Sequence, residues 1–133
     1  MATFHLQIVT PDRMAYDAQA ERIIVRTVTG DVCILSRHID YVSPLGIGEA
    51  RVTDENGNVR RAACAGGMLS VHNNTVRVMA TTFEWEDEID IDRAQKAQEK
   101  AQQRLAQMNR DDANYTVQEL KLKRALNRLR VKG

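Results

Sequence analysis

At 133 residues the chain suffices for one domain with a small appendage, and it can bury a core without disulfide or metal staples. Its 43% hydrophobic and 28% charged content is that of an ordinary globular protein, and a formal net charge of +1 excludes the basic excess of a dedicated nucleic-acid binder. Cys33 and Cys64 lie in no CxxC or Cys/His cluster, which argues against zinc, and both read as small core residues.

Residues 1–86 read as β. Thr3-Phe4-His5-Leu6-Gln7-Ile8-Val9 places Phe4, Leu6 and Ile8 on one face, and Thr10-Pro11-Asp12 ends it as a turn. Arg22 to Val28 is a second strand, closed by Thr29-Gly30-Asp31. Val32 to Leu35 and Leu45 to Thr53 are further candidates. Asp54-Glu55-Asn56-Gly57 is a hairpin signal, with Asn-Gly suited to a type I′ turn. Val59 to Ala65 follows, Gly66-Gly67 breaks the run, and a last hairpin turns around Asn73-Asn74. Short strands with turns about every 8–12 residues predict an antiparallel sandwich or flattened barrel.

Residues 87–133 change period. Ala94, Ala97, Ala101, Leu105 and Met108 mark one narrow helix face, and Asp90 or Asp92 suits its N-terminus. Asn109 to Asn114 is a break. Thr116-Val117-Gln118-Glu119 has capping-box spacing for a second helix, whose apolar face is Tyr115, Leu122, Ala125, Leu126 and Leu129. The pair forms an αα-hairpin. Its Ala-rich stripes bury little area, so alone it is marginal and needs a partner surface. No run of about 20 apolar residues exists, and Met1 to His5 lacks signal-peptide character, so neither membrane insertion nor export is expected.

Little points to catalysis. His5, His38 and His72 have no metal-ligand spacing, and no GxSxG or phosphate-loop motif accompanies them. Asp90-x-x-Arg93 with Arg124 and Arg128 is more suggestive. Arg124 and Arg128 share a helix face, and an antiparallel hairpin returns them toward the start of the first helix. Three guanidinium groups there suit a polyphosphate, with the Asp90 carboxylate free to accept from an amine such as that of adenine. An N-cap aspartate with solvated arginines accounts for the same spacing. Lys121, Lys123, Arg124, Arg128, Arg130 and Lys132 form a basic run without acidic residues. It suits either a helix C-terminus or docking on an acidic protein surface.

The chain resembles the ε subunits of bacterial F-type ATP synthases over essentially its whole length. The resemblance is carried by Ile8-Val9-Thr10-Pro11-Asp12, Gly30-Asp31-x-x-Ile34-Leu35-x-x-His38 and Gly66-Gly67-Met68-Leu69-x-Val71 followed by Val76. Ile89-Asp90-x-x-Arg93-Ala94 and Lys123-Arg124-Ala125-Leu126-Asn127-Arg128-Leu129 complete it. It implies a mainly β, α+β fold: a sandwich of about ten strands over 1–86, then a mobile helical hairpin over 87–133. It implies a non-catalytic rotor-stalk subunit at the cytoplasmic face of the cell membrane, bound to the γ subunit and the ring of c subunits. It further implies that the extended hairpin blocks ATP hydrolysis by meeting acidic segments of the β (and α) subunits through the basic run. No cofactor is required. ATP, as a regulatory ligand, is expected at Ile89, Asp90, Arg93, Ala94, Arg124 and Arg128, with Glu84 as a further contact. A stand-alone nucleotide-sensing module without a rotor partner is the alternative.

The ring-facing loop is expected to include Asp31, Ser36, Arg37 and His38. Here the chain departs from the pattern. Where the family commonly reads G-I-L-P-G-H, this sequence reads Cys33-Ile34-Leu35-Ser36-Arg37-His38. Loss of the Pro-Gly pair removes a preset φ and a permissive residue, which leaves the turn and the ring contact open to change.

Overall fold

Alternation of apolar and polar side chains puts Phe4, Leu6 and Ile8 of the first strand in the core and leaves His5 and Gln7 facing outward. The computed structural model describes residues 2–133 and continues this pattern through seven strands among them. These are β1 (Phe4–Val9), β2 (Met14–Thr27), β3 (Gly30–Leu35), β4 (Tyr41–Pro44), β5 (Ile47–Asp54), β6 (Val59–His72) and β7 (Thr75–Trp85). A short 3₁₀ turn, Glu86–Glu88, leads to α1 (Ile91–Ala106) and α2 (Tyr115–Lys132). The chain divides into two compact units, the first ending at Glu86 and the second beginning at Asp87.

In the first unit the strand order is β1-β7-β6-β5-β2-β3, and β1 also pairs β2, so the sheet closes into a flattened barrel. All pairings are antiparallel except β1 with β7. Long strands serve two neighbours. The first half of β2 pairs β1 and its second half pairs β3 and β5, while β6 pairs β5 and then β4. The segments of sheet therefore outnumber the continuous strands. The core is filled by Leu6, Ile23, Ile34, Leu69, Val78 and Phe83 among others.

Several elements differ from the sequence reading. β2 starts eight residues before Arg22, because Met14 to Gln19 has no apolar alternation and forms a strand only by pairing with β1. β4 was not legible for the same reason; its four residues are defined by β6. Gly66-Gly67 does not end a strand. Both take left-handed φ, 70° and 105°, inside a continuous β6, and they face the β4–β5 junction through Leu45 N–H to Gly67 O and Gly66 N–H to Gly46 O.

The two Asn-containing turns also divide differently. Asn56 does not adopt positive φ; only Gly57 does, at 84°. The Asp54 carboxylate accepts the N–H groups of Asn56 (2.8 Å) and Asn58 (2.9 Å) and imposes a longer turn. The two-residue type I′ geometry occurs instead at Asn73-Asn74, with φ 49° and 58° between paired His72 and Thr75. Cys33 is exposed on β3, because strand alternation buries Ile34 and turns its neighbours outward; Cys64 is buried, and burial pushes its thiol up to about 12.

Candidate functional site

In the second unit α1 and α2 pack on each other as a hairpin. The helices have 16 and 18 residues, so the last turns of α2 return beside the first turns of α1. Asp90 is the N-cap of α1: its backbone is extended, and its carboxylate accepts the Arg93 N–H at 3.1 Å. Ala94 is buried one turn into the helix and its N–H bonds the Asp90 carbonyl at 3.0 Å. Ile89, just before the cap, is also buried.

Arg93 projects from this first turn and is exposed; its guanidinium makes no hydrogen bond or ion pair within the described residues. Arg124 and Arg128 are half-buried on α2, one turn apart. Arg124 likewise has no ion-pair partner among the described residues. Asp90, Arg93, Arg124 and Arg128 therefore belong to one hairpin, at its open end. The remaining predicted contact, Glu84, lies on β7 opposite Ala63, in the other unit.

The basic run is not a uniform face. Lys121, Lys123 and Arg130 are exposed, whereas Arg124, Arg128 and Lys132 are half-buried. The start of α2 differs from expectation. Its N-cap is Asn114, without a side-chain cap bond, and Thr116 lies inside the helix. The reason is local: the Asp112 carboxylate accepts the Asn114 N–H at 2.8 Å, and the Tyr115 N–H bonds the Asp112 carbonyl at 3.0 Å, so the turn already directs the chain into the helix. The buried positions of α2 are Gln118, Ala125, Asn127 and Val131, while Leu126 is partly exposed at 37%. Gln118 Oε1 is buried without a hydrogen-bond partner among the described residues.

The predicted ring-facing residues separate in space. Asp31 sits at the β2–β3 hairpin, where Arg26 Nε bonds its carboxylate at 2.6 Å and holds it below the usual carboxylate range. Ser36, Arg37 and His38 lie at the opposite end of β3. There the His38 N–H bonds the Leu35 carbonyl at 3.3 Å and Arg37 has φ 65°. This is the pattern of a type II turn, with a positive φ at its third residue. Loss of the Pro-Gly pair thus leaves a tight turn in place, with Arg37 in the conformation that glycine ordinarily supplies. His38 Nδ1 contacts the Ile39 carbonyl at 2.7 Å, while Asp40 pairs with His72 at 2.9 Å. Among the described residues no group of three or more His, Cys, Asp or Glu side chains is placed to hold a metal, and no helix is long and apolar enough to cross a membrane.

A closed β unit followed by a short helical hairpin defines a two-module class, and family comparison identifies both modules. Residues 3–86 match the family model described as ATP synthase, Delta/Epsilon chain, beta-sandwich domain, and residues 87–133 match its long alpha-helix domain. The chain belongs to the ATP synthase delta/epsilon chain family. It is 38% identical over 133 residues to an ATP synthase epsilon chain of Halalkalibacterium halodurans, covering 100% of this chain and 99% of that one. It is 44% identical over 105 residues to an ATP synthase epsilon chain of Alkaliphilus oremlandii, covering 79% and 78%. In fold it is similar to a chain of the Euglena gracilis mitochondrial ATP synthase, with TM-score 0.79 and 24% identity over 92% of this chain and 77% of that chain.

Proposed function

We propose that this chain is the ε subunit of an F-type ATP synthase, a non-catalytic part of the central stalk. Its β unit joins the γ subunit to the ring of c subunits, which holds the chain at the cytoplasmic face of the membrane without insertion. Its hairpin inhibits ATP hydrolysis when extended toward the β and α subunits. The full-length match to both modules of the family carries this reading.

ATP is the regulatory ligand, and it binds the compact state of the hairpin. The observation that supports this is the pair of arginines, Arg93 and Arg124, without partners among the described residues, at the open end of one hairpin. Guanidinium groups bind phosphate oxygens with paired donors, and Arg128 adds a third. Because Asp90 caps α1 and Arg124 and Arg128 lie near the other end of the chain, a ligand spanning them ties the base of α1 to the last turns of α2. ATP shifts the population only by its differential affinity for the two states; moving 1:99 to 99:1 takes about 5.5 kcal/mol.

The decisive experiment is hydrolysis by the reconstituted complex with the full chain and with residues 87–133 deleted. Deletion is expected to raise hydrolysis and to remove its dependence on preincubation with ATP. Equal hydrolysis by both complexes overturns the inhibitory role.

A further inference from the structure

Two consecutive arginines of β6 meet the last two residues of the β unit. The β6–β7 ladder ends at Ala62 opposite Trp85, but β6 begins at Val59. Arg60 and Arg61 therefore stand beyond the end of β7, paired with Val52 and Arg51 of β5. Strand alternation sends their side chains to opposite faces. Arg60 shares the face of Ala62 and lays its guanidinium over the Trp85 ring, 3.8 Å from the centroid. Arg61 takes the other face, where its Nε bonds the Glu49 carboxylate and its Nη1 lies 3.9 Å from Glu86 Oε2.

Each contact is braced from behind. Trp85 is buried; its indole N–H donates to the Ala15 carbonyl at 3.2 Å, and the Phe83 ring meets it edge-on with centroids 4.9 Å apart. Glu49 orients the Arg61 guanidinium, so the pair with Glu86 forms without first ordering a long side chain. Beyond this point Asp90 fixes the first turn of α1 as its cap. Residues 87–89 are what remains between the two anchored points.

We propose that Arg60 and Arg61 are positioning residues for the joint between the two units: they hold Trp85 and Glu86 as the fixed end of the β unit and confine the freedom of the joint to residues 87–89. This rests on the reading that the hairpin changes position relative to the β unit, and it names the point about which the hairpin turns. The two contacts differ in their response to salt. The stack covers a buried ring and persists, whereas Arg61 and Glu86 are 36% and 41% exposed, so their attraction is screened. At high ionic strength Glu86 is released to the joint while Trp85 stays fixed.

The test uses the full chain alone, with Arg60→Ala, Glu86→Gln, Arg61→Gln and the last two combined. Trp85 is the single tryptophan, so acrylamide quenching of its fluorescence reads the stack, and amide exchange at residues 86–88 reads the joint. Arg60→Ala is expected to raise quenching about 2-fold and exchange at residues 86–88 about 3- to 10-fold, with the sheet amides of β1 and β5 unchanged. Glu86→Gln is expected to raise the same exchange about 2- to 5-fold at low salt, a difference from wild type that vanishes at about 1 M salt. Arg61→Gln adds nothing further in that background. Exchange at residues 86–88 that matches wild type in Arg60→Ala overturns the role of Arg60. Additive effects of Arg61→Gln and Glu86→Gln overturn the role of Arg61. Exchange raised equally throughout the sheet overturns both, because the arginines then support the whole β unit rather than its end. The synthase takes no part in these measurements, so the inhibitory role of the hairpin stands or falls separately, on hydrolysis by the complex lacking residues 87–133.

Discussion

The Asp90 carboxylate accepts the backbone N–H of Arg93 at 3.1 Å, so the aspartate of the proposed ligand site is already engaged in capping α1. The two residues consequently separate under mutation. Asp90→Ala removes a cap and costs about 1 kcal/mol of helix stability with or without nucleotide. Arg93→Ala leaves the capping N–H intact and removes only a guanidinium that bonds nothing among the described residues. It is expected to lower ATP affinity about 10-fold or more while the unfolding midpoint stays unchanged. Titration calorimetry with thermal unfolding checks both. Equal ATP binding by wild type and Arg93→Ala removes Arg93 from the site.

Gly67 of β6 lies opposite Ala80 of β7. A Cβ there would overlap the Met79 carbonyl oxygen, and the residue has φ +105°. Neither clash nor conformation can be relieved by a side-chain rotation, since the obstacle is backbone. Gly67→Ala is expected to destabilise the β unit by about 2 kcal/mol or more. Gly57→Ala, with nothing within 4 Å but φ +84°, meets only the conformational cost and is expected to lose less. Urea unfolding of the two variants ranks them, and equal midpoints contradict the assignment of the Gly67 contact.

Much of this architecture was legible in the sequence because strand alternation and the change of period near residue 90 are local signals. Phe4, Leu6 and Ile8 point inward as their spacing requires, and Asp90 caps α1. What local pattern did not reveal is set by partners distant in sequence. The first half of β2 and all of β4 are strands by virtue of β1 and β6. The β3 turn is held by Asn74, 37 residues beyond Arg37. In the hairpin, spacing put Arg124 and Arg128 on neighbouring turns of one helix, but the inward positions of α2 include Gln118 and Asn127, which hydrophobicity cannot find. Cys33 was misassigned because its apolar neighbours share a strand with it while pointing to different sides.

Gln118 is the clearest departure from a satisfied interior. Its Oε1 is buried without a partner among the described residues, a state that costs about 1–3 kcal/mol relative to a bonded or apolar group. Gln118→Met keeps the length of the side chain and removes the unpaired amide. It is expected to stabilise the hairpin by about 1 kcal/mol, seen as slower amide exchange across α1 and α2 with no change in the β unit. Exchange that is unchanged or faster in the hairpin shows that the amide is not a liability there.

Glu49 links the acid stability of the β unit to two arginines. Burial alone would raise its pKa, but hydrogen bonds from Arg61 and Arg51, the latter at 3.2 Å, outweigh burial and hold the carboxyl below its ordinary range. The folded chain therefore binds this proton less readily than the unfolded chain. The stabilisation is complete above the unfolded glutamate range and is lost as pH falls through the lowered folded value. Arg51 and Arg61 face each other across β5 and β6, so neutralising the carboxylate also exposes two like charges to each other. Glu49→Gln is expected to lower stability at neutral pH by about 1 kcal/mol and to flatten the acid slope. Asp31 and Asp54 are shifted in the same direction, so a shallower slope persists in the variant. Urea unfolding from pH 7 down to pH 3 measures both effects, and parallel slopes for wild type and Glu49→Gln rule out Glu49 as the linked group.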